Sequence, residues 1–513
     1  MNKNKQLIVN MAASFIAYLV SMGISFFLSP YIVENIGVEA YGFVGLSNSF
    51  ISYATVITAA LNSMASRFIT IAIHREEYEN VNKYFTSVVA ANIFLALPLT
   101  VAATVIVLKL DKVVNVSAAL LPDVQCLWAL LFANFIIGLI GNAFNVATFS
   151  QNRLDLSARR NMESQFLKVI VLLLAFRFFK ASVWYVGLAA FLCGLYVIAV
   201  NLYYTKKFLP YVKIRKRYFD FEKIKQLIFS GIWNSVSQLS GILTTGLDLL
   251  ISNWFVGAEA MGIVSVSKTV PIYVRSLFGT LGSMFAPNLT ILYAKNNYED
   301  MAHQVMSSVR LLGYFACIPI AFIFVYSHDF FTLWVPDQNG RLLHTLAVLG
   351  ALEMPIGLSL EPMYNIFVAT NKVKISSLML IVSSTISMSL TLILLNFVSG
   401  EAAKLCVIVG ASTLVEMVRV AICLPIYSAK CLKVKWCIFY PVIGKVFLST
   451  GITVAISVGI RSFLRTESWM SLIVAVILTS VAAVVINYFF MLTSKERMIL
   501  KSKILRGRGQ NDS

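Results

Sequence analysis

Long apolar segments alternate with short polar ones along the whole chain. Most of them approach or exceed the roughly 20 residues that an α-helix needs to cross a bilayer. The pattern predicts an all-α integral membrane protein with fourteen spans: 7–33, 41–71, 84–108, 124–149, 162–179, 183–205, 227–255, 261–292, 303–326, 342–369, 375–398, 403–428, 437–460 and 469–492. An even number of spans puts both ends of the chain on one side of the membrane.

Lysine and arginine are distributed unevenly between the connecting segments. Of the 42, 28 lie on the side of the termini, Arg159 and Arg160 among them, 8 on the other side and 6 within apolar segments. Because cytoplasmic segments carry the excess of positive charge, both termini are predicted to be cytoplasmic. The net charge of +18 follows from this topology and favours contact with anionic membrane lipids. We do not expect nucleic acid as a partner.

The sequence repeats itself at an offset of 220 residues. Residues 37–42 and 257–262 differ only where Val38 and Tyr41 stand in the first copy, and further identities, Tyr53 with Tyr273 among them, follow in the same register. Equivalent helices are six apart and cross in the same direction, which is typical of a parallel repeat about an axis along the membrane normal. The predicted domains are a six-helix bundle (1–205), a basic cytoplasmic linker (206–226), a second six-helix bundle (227–428), helices 13 and 14 (429–492) and a basic cytoplasmic tail (493–513).

Three charges fall within the predicted helical hairpin 227–292: Asp248, Lys268 and Arg275. An ionised side chain at the bilayer centre costs about 2.5–3.5 kcal/mol on insertion scales, so such residues usually have a role. Asp248 and Lys268 lie at similar depth, and we expect them to pair. Arg275 is the best candidate to bind an anionic ligand, and the alternative is a structural salt bridge to Glu361. The equivalent tyrosines Tyr53 and Tyr273 join Arg275 and Lys268 as candidate substrate-binding residues.

Intramembrane charge is concentrated in the second copy of the repeat. The first has Glu163 and Lys168, and it carries Asn48 and Thr55 where the second has Lys268 and Arg275. The second also contains Glu353 and Glu361 on one predicted helix, with Pro355 and Pro362 beside them, and Glu416 and Arg419, spaced to pair within a helix. Glu353 and Glu361 are candidates for proton or sodium coupling, or they balance Arg275 and Lys268. Prolines beside these charges indicate hinges or ligand cavities, or ordinary membrane-helix proline.

Composition agrees with a membrane protein and excludes several kinds of site. The chain is 58% hydrophobic and 13% charged, whereas soluble domains carry about 25% charged residues. Its seven cysteines and four histidines lack the spacing of metal ligands or of a disulfide framework. We therefore expect no metal and no cofactor.

Short motifs lie near the ends of predicted helices: Asn10, residues 36–42 with Leu46, residues 63–69 and residues 365–374. In order and spacing they resemble the multidrug/oligosaccharidyl-lipid/polysaccharide exporter superfamily and, within it, the bacterial polysaccharide flippases of the O-antigen and capsule type. The resemblance covers nearly the whole chain.

The resemblance implies a flippase that moves undecaprenyl-diphosphate-linked oligosaccharide from the cytoplasmic to the outer leaflet. In such proteins a cationic cavity takes the diphosphate-sugar head group, and helices 13 and 14 are expected to line a groove for the lipid tail. It also implies that the protein lies in a bacterial inner membrane and that other polysaccharide assembly proteins are its partners.

Two other classes remain open at this point. The first is an ion-coupled multidrug or small-molecule exporter of the same superfamily, which would use acids such as Asp248, Glu353 and Glu361. The second is a membrane glycosyltransferase or polymerase. The outer connecting segments are too short to favour an enzyme, and the sequence has no nucleotide-binding loop.

Overall fold

The computed structural model describes residues 3–245, 247–370, 372–491 and 497. All regular secondary structure in these residues is helical. No strand occurs in these residues. Helices are the expected solution because lipid offers no partner for backbone N–H and C=O groups. The chain forms two compact units, Met1–Ser265 and Val266–Ser513, and each is described separately below. Apart from residue 497, the predicted tail 493–513 lies outside the described residues.

In its described residues, unit 1 contains ten α-helices and the start of an eleventh. They are α1 (Lys3–Ile36), α2 (Val38–His74), α3 (Tyr78–Leu108), α4 (Leu110–Val113), α5 (Leu121–Gly141), α6 (Val146–Ser150), α7 (Leu154–Phe178), α8 (Trp184–Phe208), α9 (Phe221–Thr245) and α10 (Leu247–Phe255). The division between the units falls within α11 (Ala258–Ser283).

Unit 2 continues from α11 and contains the remaining helices. They are α12 (Ala286–Ala294), α13 (Tyr298–Ala321), α14 (Ser327–Trp334), α15 (Gly340–Gly350), α16 (Met354–Ala369), α17 (Val373–Leu395), α18 (Glu401–Val418), α19 (Leu424–Leu432), α20 (Tyr440–Phe463) and α21 (Trp469–Phe490). Two π-helical turns, Phe322–Tyr326 and Arg419–Cys423, join α13 to α14 and α18 to α19.

Helices stand at each of the fourteen predicted apolar segments. By length and hydropathy, ten helices of the described residues can cross a membrane, or eleven if α15 and α16, which meet at a bend of 41°, form one span. The protein is therefore a multi-pass membrane protein. The other predicted segments correspond to α7, α9 with α10, and α11 with α12. Charged residues such as Arg159, Glu163 and Lys168 reduce the hydropathy of α7.

In both copies the repeated motif begins with a glycine of positive φ. Gly37 and Gly257 precede α2 and α11 with φ of 85° and 141°, a region that only glycine enters at little cost. An acidic residue follows in the first turn of each helix, Glu39 in α2 and Glu259 in α11. It interacts favourably with the positive end of the helix dipole.

Two glycines of the repeated motif allow close packing within unit 1. A Cβ on Gly42 would lie 2.8 Å from Gly262 Cα, and a Cβ on Gly262 would lie 2.2 Å from the carbonyl oxygen of Val38. A Cβ on Gly231 of α9 would likewise lie 1.9 Å from the carbonyl oxygen of Ala60 in α2. Small residues at such positions let membrane helices approach backbone to backbone.

Asn10 connects the first helix of unit 1 to the beginning of α7. Its side-chain Nδ2 donates to the carbonyl oxygen of Asn152 (2.8 Å), and its Oδ1 accepts from the backbone N–H of Asp155 (3.1 Å). These bonds satisfy backbone groups at the start of α7, which a helix leaves without partners of its own. A buried asparagine, here 3% exposed, thus has a structural reason to occupy this position.

In unit 2, α13 is the central helix and packs against α16, α20 and α21. Apolar side chains such as Val305, Val309, Leu360 and Val446 form the core. Tyr314 donates to the carbonyl oxygen of Val484 (3.0 Å). Helices α20 and α21, predicted as an addition to the second bundle, therefore belong to the same compact unit as α13. The predicted bundle boundaries themselves stay predictions.

Candidate functional site

Arg275 lies in α11 of unit 2, and Pro271 does not interrupt this helix. A guanidinium Nη2 of Arg275 forms an ion pair with Glu353 Oε1. The Arg275 side chain is 37% exposed, whereas the Glu353 side chain is 1% exposed. The alternative predicted from the sequence, a structural salt bridge between Arg275 and Glu361, was wrong, because Glu353 forms the ion pair.

Glu353 is held at the break between α15 and α16. It is the residue that precedes the first turn of α16, with Pro355 in that turn, so it lies near the end of the helix dipole that favours a negative charge. A Cβ on Gly357 would lie 2.0 Å from Glu353 Oε2. Only glycine therefore leaves space for this carboxylate. The break at this proline is observed as a bend of 41°, whereas its role as a hinge stays a prediction.

One oxygen of the Glu353 carboxylate has no hydrogen-bond partner. Within the described part of the chain, Oε2 is buried and accepts no hydrogen bond. A buried polar atom in this state costs about 1–3 kcal/mol, and more for a charged group. The arrangement is therefore suited to a carboxyl group that takes up a proton or another partner during function.

Glu361 lies two turns further along α16, against the end of α11. A Cβ on Gly282 would lie 2.7 Å from Glu361 Cβ, and Asn365 Nδ2 donates to the carbonyl oxygen of Gly282 (2.8 Å). These contacts fix α16 against α11. Glu361 is within electrostatic range of Arg275, but it does not form the ion pair.

A second charged cluster lies at the π-helical turn after α18. Arg419 Nε donates to Glu416 Oε2 (2.9 Å), and Nη2 donates both to Glu416 Oε1 and to the Tyr364 hydroxyl (2.9 Å). Arg419 and Glu416 are both buried. The predicted pairing of Glu416 with Arg419 is thereby confirmed. Glu416 is also within electrostatic range of Arg275.

The described geometry does not test the other candidate residues. Asp248 is buried in α10, whereas Lys268 and Tyr273 in α11 and Tyr53 in α2 are partly buried. The Tyr53 ring contacts Phe50, with centroids 5.5 Å apart. The proposed pair of Asp248 and Lys268 stays a prediction.

Unit 1 contains a cavity of about 780 Å³ that the sequence analysis missed. Its polar lining consists mainly of amides, including Asn48, Asn62, Asn134, Asn145, Asn201 and Gln238. Of the described residues that line it, Lys168 is the only charged one. The repeat contained a signal for this cavity. Asn48 and Thr55 occupy the positions that Lys268 and Arg275 have in the second copy, and both residues line the cavity.

Arg160 supports one wall of this cavity. It was assigned to a cytoplasmic connecting segment, but it lies in α7, is 8% exposed and donates to the Oδ1 atoms of Asn145 (3.1 Å) and Asn201. Asn201 Nδ2 donates to Asn145 Oδ1 as well (2.8 Å). Arg160 therefore belongs to a helix and not to a connecting segment, because α7 begins at Leu154, several residues before the apolar segment. Its predicted position on the cytoplasmic side stays a prediction.

Known structures share this fold. The chain is similar to the lipid II flippase MurJ in its inward closed conformation, with a TM-score of 0.68 and 14% identity, covering 94% of this chain and 99% of that one. It is also similar to an inward-facing multidrug resistance MATE family transporter (TM-score 0.65, 15% identity, 83% and 98% covered). The fold and the buried charge of unit 2 thus define a multi-pass membrane protein of the flippase and multidrug-exporter fold.

Sequence relatives narrow this class to a family. The chain belongs to the polysaccharide biosynthesis protein family, whose sequence model matches residues 7–285. It is 29% identical over 507 residues to the uncharacterized membrane protein EpsK of Bacillus subtilis (strain 168), covering 98% of each chain. It is 21% identical over 318 residues to a putative O-antigen transporter of Shigella flexneri (60% of this chain, 72% of that one). The resemblance to polysaccharide flippases of this superfamily is confirmed.

Proposed function

We propose that the protein is a flippase that moves undecaprenyl-diphosphate-linked oligosaccharide from the cytoplasmic to the outer leaflet by alternating access, for the synthesis of cell-surface polysaccharide. Its family, and relatives described as an O-antigen transporter and a lipid II flippase, support this substrate class. We place it in the bacterial cytoplasmic membrane, with membrane lipids and other polysaccharide assembly proteins as partners.

The proposal is based mainly on the environment of Arg275. It is a guanidinium group in a membrane helix, and more than a third of its side chain is exposed although it is paired. Guanidinium binds phosphate oxygens through two parallel hydrogen bonds. We propose that the diphosphate of the carrier lipid takes the place of Glu353 on Arg275 when the substrate binds. Lys268 and Tyr273, from the same helix, and Tyr53, their counterpart in unit 1, are proposed to contact the head group.

This exchange would leave the Glu353 carboxylate buried without its cation. Breaking one side of a buried ion pair costs about 3–5 kcal/mol because the remaining charge is uncompensated. The uncompensated state is avoided if Glu353 takes up a proton as the diphosphate arrives. The neighbouring groups favour this, since Glu353, Glu361 and Glu416 provide three carboxyl groups for the two guanidinium groups of Arg275 and Arg419. Substrate binding and proton uptake would then be coupled.

Replacing Glu353 by glutamine should remove this coupling. A neutral amide neither takes up nor releases a proton, so transport into proteoliposomes should lose its dependence on an imposed proton or sodium gradient while protein yield stays normal. Glu361→Gln is the matched comparison on the same helix, and it tests the second candidate. If both variants keep the wild-type dependence on proton and sodium gradients, neither carboxyl group couples transport to an ion.

The topology proposed with this function has fourteen spans, two six-helix bundles and two C-terminal helices, with both termini cytoplasmic. Its support is the distribution of lysine and arginine and the helices that stand at each predicted segment. We include α7, α9 with α10, and α11 with α12 as spans despite their lower hydropathy. Charged residues are tolerated in membrane helices that face a protein interior or a water-filled cavity, and Lys168 of α7 lines the cavity of unit 1.

The multidrug exporter is not favoured. Of the acids that such an exporter would use, Glu353 is paired with Arg275. A cationic drug would also meet Lys168 in the cavity of unit 1. The similarity to the multidrug transporter structure is one of fold.

Deletion of the gene tests the function directly. Cells that still make the glycan should accumulate it as an undecaprenyl-diphosphate-linked form that outer-leaflet enzymes do not reach. Extraction of the membrane lipids followed by mass spectrometry would measure it. Surface polysaccharide at wild-type levels, without such accumulation, would contradict the proposal.

A further inference from the structure

We propose that the cavity of unit 1 binds the uncharged sugar part of the head group, by hydrogen bonds from side-chain amides to sugar hydroxyl and N-acetyl groups. This proposal rests on the proposed function, because it assumes a glycan-bearing substrate. It assigns sugar binding to unit 1, separately from the binding of the diphosphate at Arg275. The cavity volume of about 780 Å³ lies within the range of about 300–1,000 Å³ that is usual for ligand sites.

Three lining amides are available to a ligand. In the described part of the chain, the side chains of Asn48, Asn134 and Gln238 make no hydrogen bond. An amide offers a carbonyl oxygen as acceptor and an NH₂ group as a double donor. A sugar hydroxyl is likewise both donor and acceptor. The three side chains come from α2, α5 and α9, so they approach a ligand from different directions.

Other lining amides are held in fixed orientations. Arg160 donates to the carbonyl oxygens of Asn145 and Asn201, so both amides are oriented by a buried cation. On another wall, Gln165 Nε2 donates to Ser21 Oγ (3.0 Å). A binding site that is oriented before the ligand arrives loses less conformational entropy on binding. These contacts give the cavity the properties of a prepared polar site.

Apart from Lys168, the described residues of the lining are uncharged, which points to a neutral ligand group. Asn48 and Thr55 of α2 line the cavity, whereas their repeat equivalents in α11 are Lys268 and Arg275. One copy of the repeated helix therefore carries uncharged hydrogen-bonding groups where the other carries cations. This difference matches the two parts of a glycosyl diphosphate, which are the neutral sugar and the anionic diphosphate.

Binding of defined lipids to the full-length protein in nanodiscs tests the assignment. The probes are undecaprenyl diphosphate and its derivatives carrying glucose, galactose, N-acetylglucosamine or N-acetylgalactosamine. The wild-type protein should bind at least one derivative more tightly than the sugar-free lipid. Asn48→Ala, Asn134→Ala and Gln238→Ala should each reduce this preference about fivefold, the usual effect of losing one neutral hydrogen bond. Their affinity for undecaprenyl diphosphate should not change, which also shows that the variants are folded.

Asn396→Ala removes the same group from an exposed position at the end of α17 and should leave the preference unchanged. Lys168→Met distinguishes the two parts of the ligand. If it weakens binding of the sugar-free lipid as much as that of the derivatives, the cavity holds the diphosphate and the assignment is wrong. Equal loss of all lipids in the amide variants, or no preference in the wild type, would also overturn it. Failure of the wild type to bind any of these lipids would contradict the proposed function itself.

Discussion

Arg275→Ala should abolish export of the lipid-linked glycan, although the protein remains inserted and abundant. The variant loses two charge-assisted hydrogen bonds to the diphosphate, each worth about 1.5–3 kcal/mol, so substrate affinity should fall more than about 100-fold. Arg275→Lys should keep only part of the activity, because an ammonium group does not reproduce the paired geometry of a guanidinium group. Export is measured by the surface polysaccharide and by the lipid-linked glycan that accumulates inside.

An effect of Arg275→Ala on protein stability must be distinguished from its effect on substrate binding, because the substitution also leaves Glu353 without its cation. The double variant with Glu353→Gln provides the control. It should regain thermal stability while export remains absent. If the double variant exports normally, Arg275 has only a structural role, and normal export by Arg275→Ala at normal expression would exclude the diphosphate role altogether.

Arg419→Met should be the most destabilising of the charge-removing substitutions considered for unit 2. Arg419 and Glu416 are nearly fully buried, with side chains 6% and 9% exposed. Removing the guanidinium group leaves Glu416 and the Tyr364 hydroxyl without their partner, at a cost of about 3–5 kcal/mol. The loss is read from thermal unfolding in detergent.

Glu416→Gln combined with Arg419→Met should restore much of this stability, because no buried charge then remains unpaired. Strictly additive losses would argue against a coupled pair. Arg159→Met is a matched comparison, since Arg159 also pairs with a glutamate on its own helix, Glu163, but is 71% exposed. Exposed pairs of this kind contribute about 0–1 kcal/mol.

Most of the fold could be predicted from the sequence because the bilayer restricts the choice so strongly. Apolar segments of spanning length have to become helices in lipid, and they do so throughout the described chain. The start of α7 was placed too late because its first turns are polar. These turns are held by Asn10 and Arg160, whose partners are distant in sequence, and hydropathy carries no information about such contacts.

The candidate site was predicted only in part. Spacing within one helix identified the pair of Glu416 and Arg419. The partner of Arg275 is on another helix, where Glu353 and Glu361 are separated by about 12 Å along the axis. Which of them pairs with Arg275 depends on how far α11 and α16 are shifted along each other. The spacing of residues within one helix gives no information about this shift. The amide cavity was missed for a similar reason, since several helices each contribute a few ordinary polar residues.

The contact between Gly42 and Gly262 has a consequence for the history of the gene. These residues are equivalent in the two copies of the repeat, and a side chain on either one would strike the backbone of the opposite copy. After the duplication, neither copy was able to change this position independently. Two equivalent residues in contact with each other are the arrangement that is found at the symmetry axis of a homodimer. This explains why the motif is still recognisable in both halves of one chain although the charged positions just beyond it have diverged.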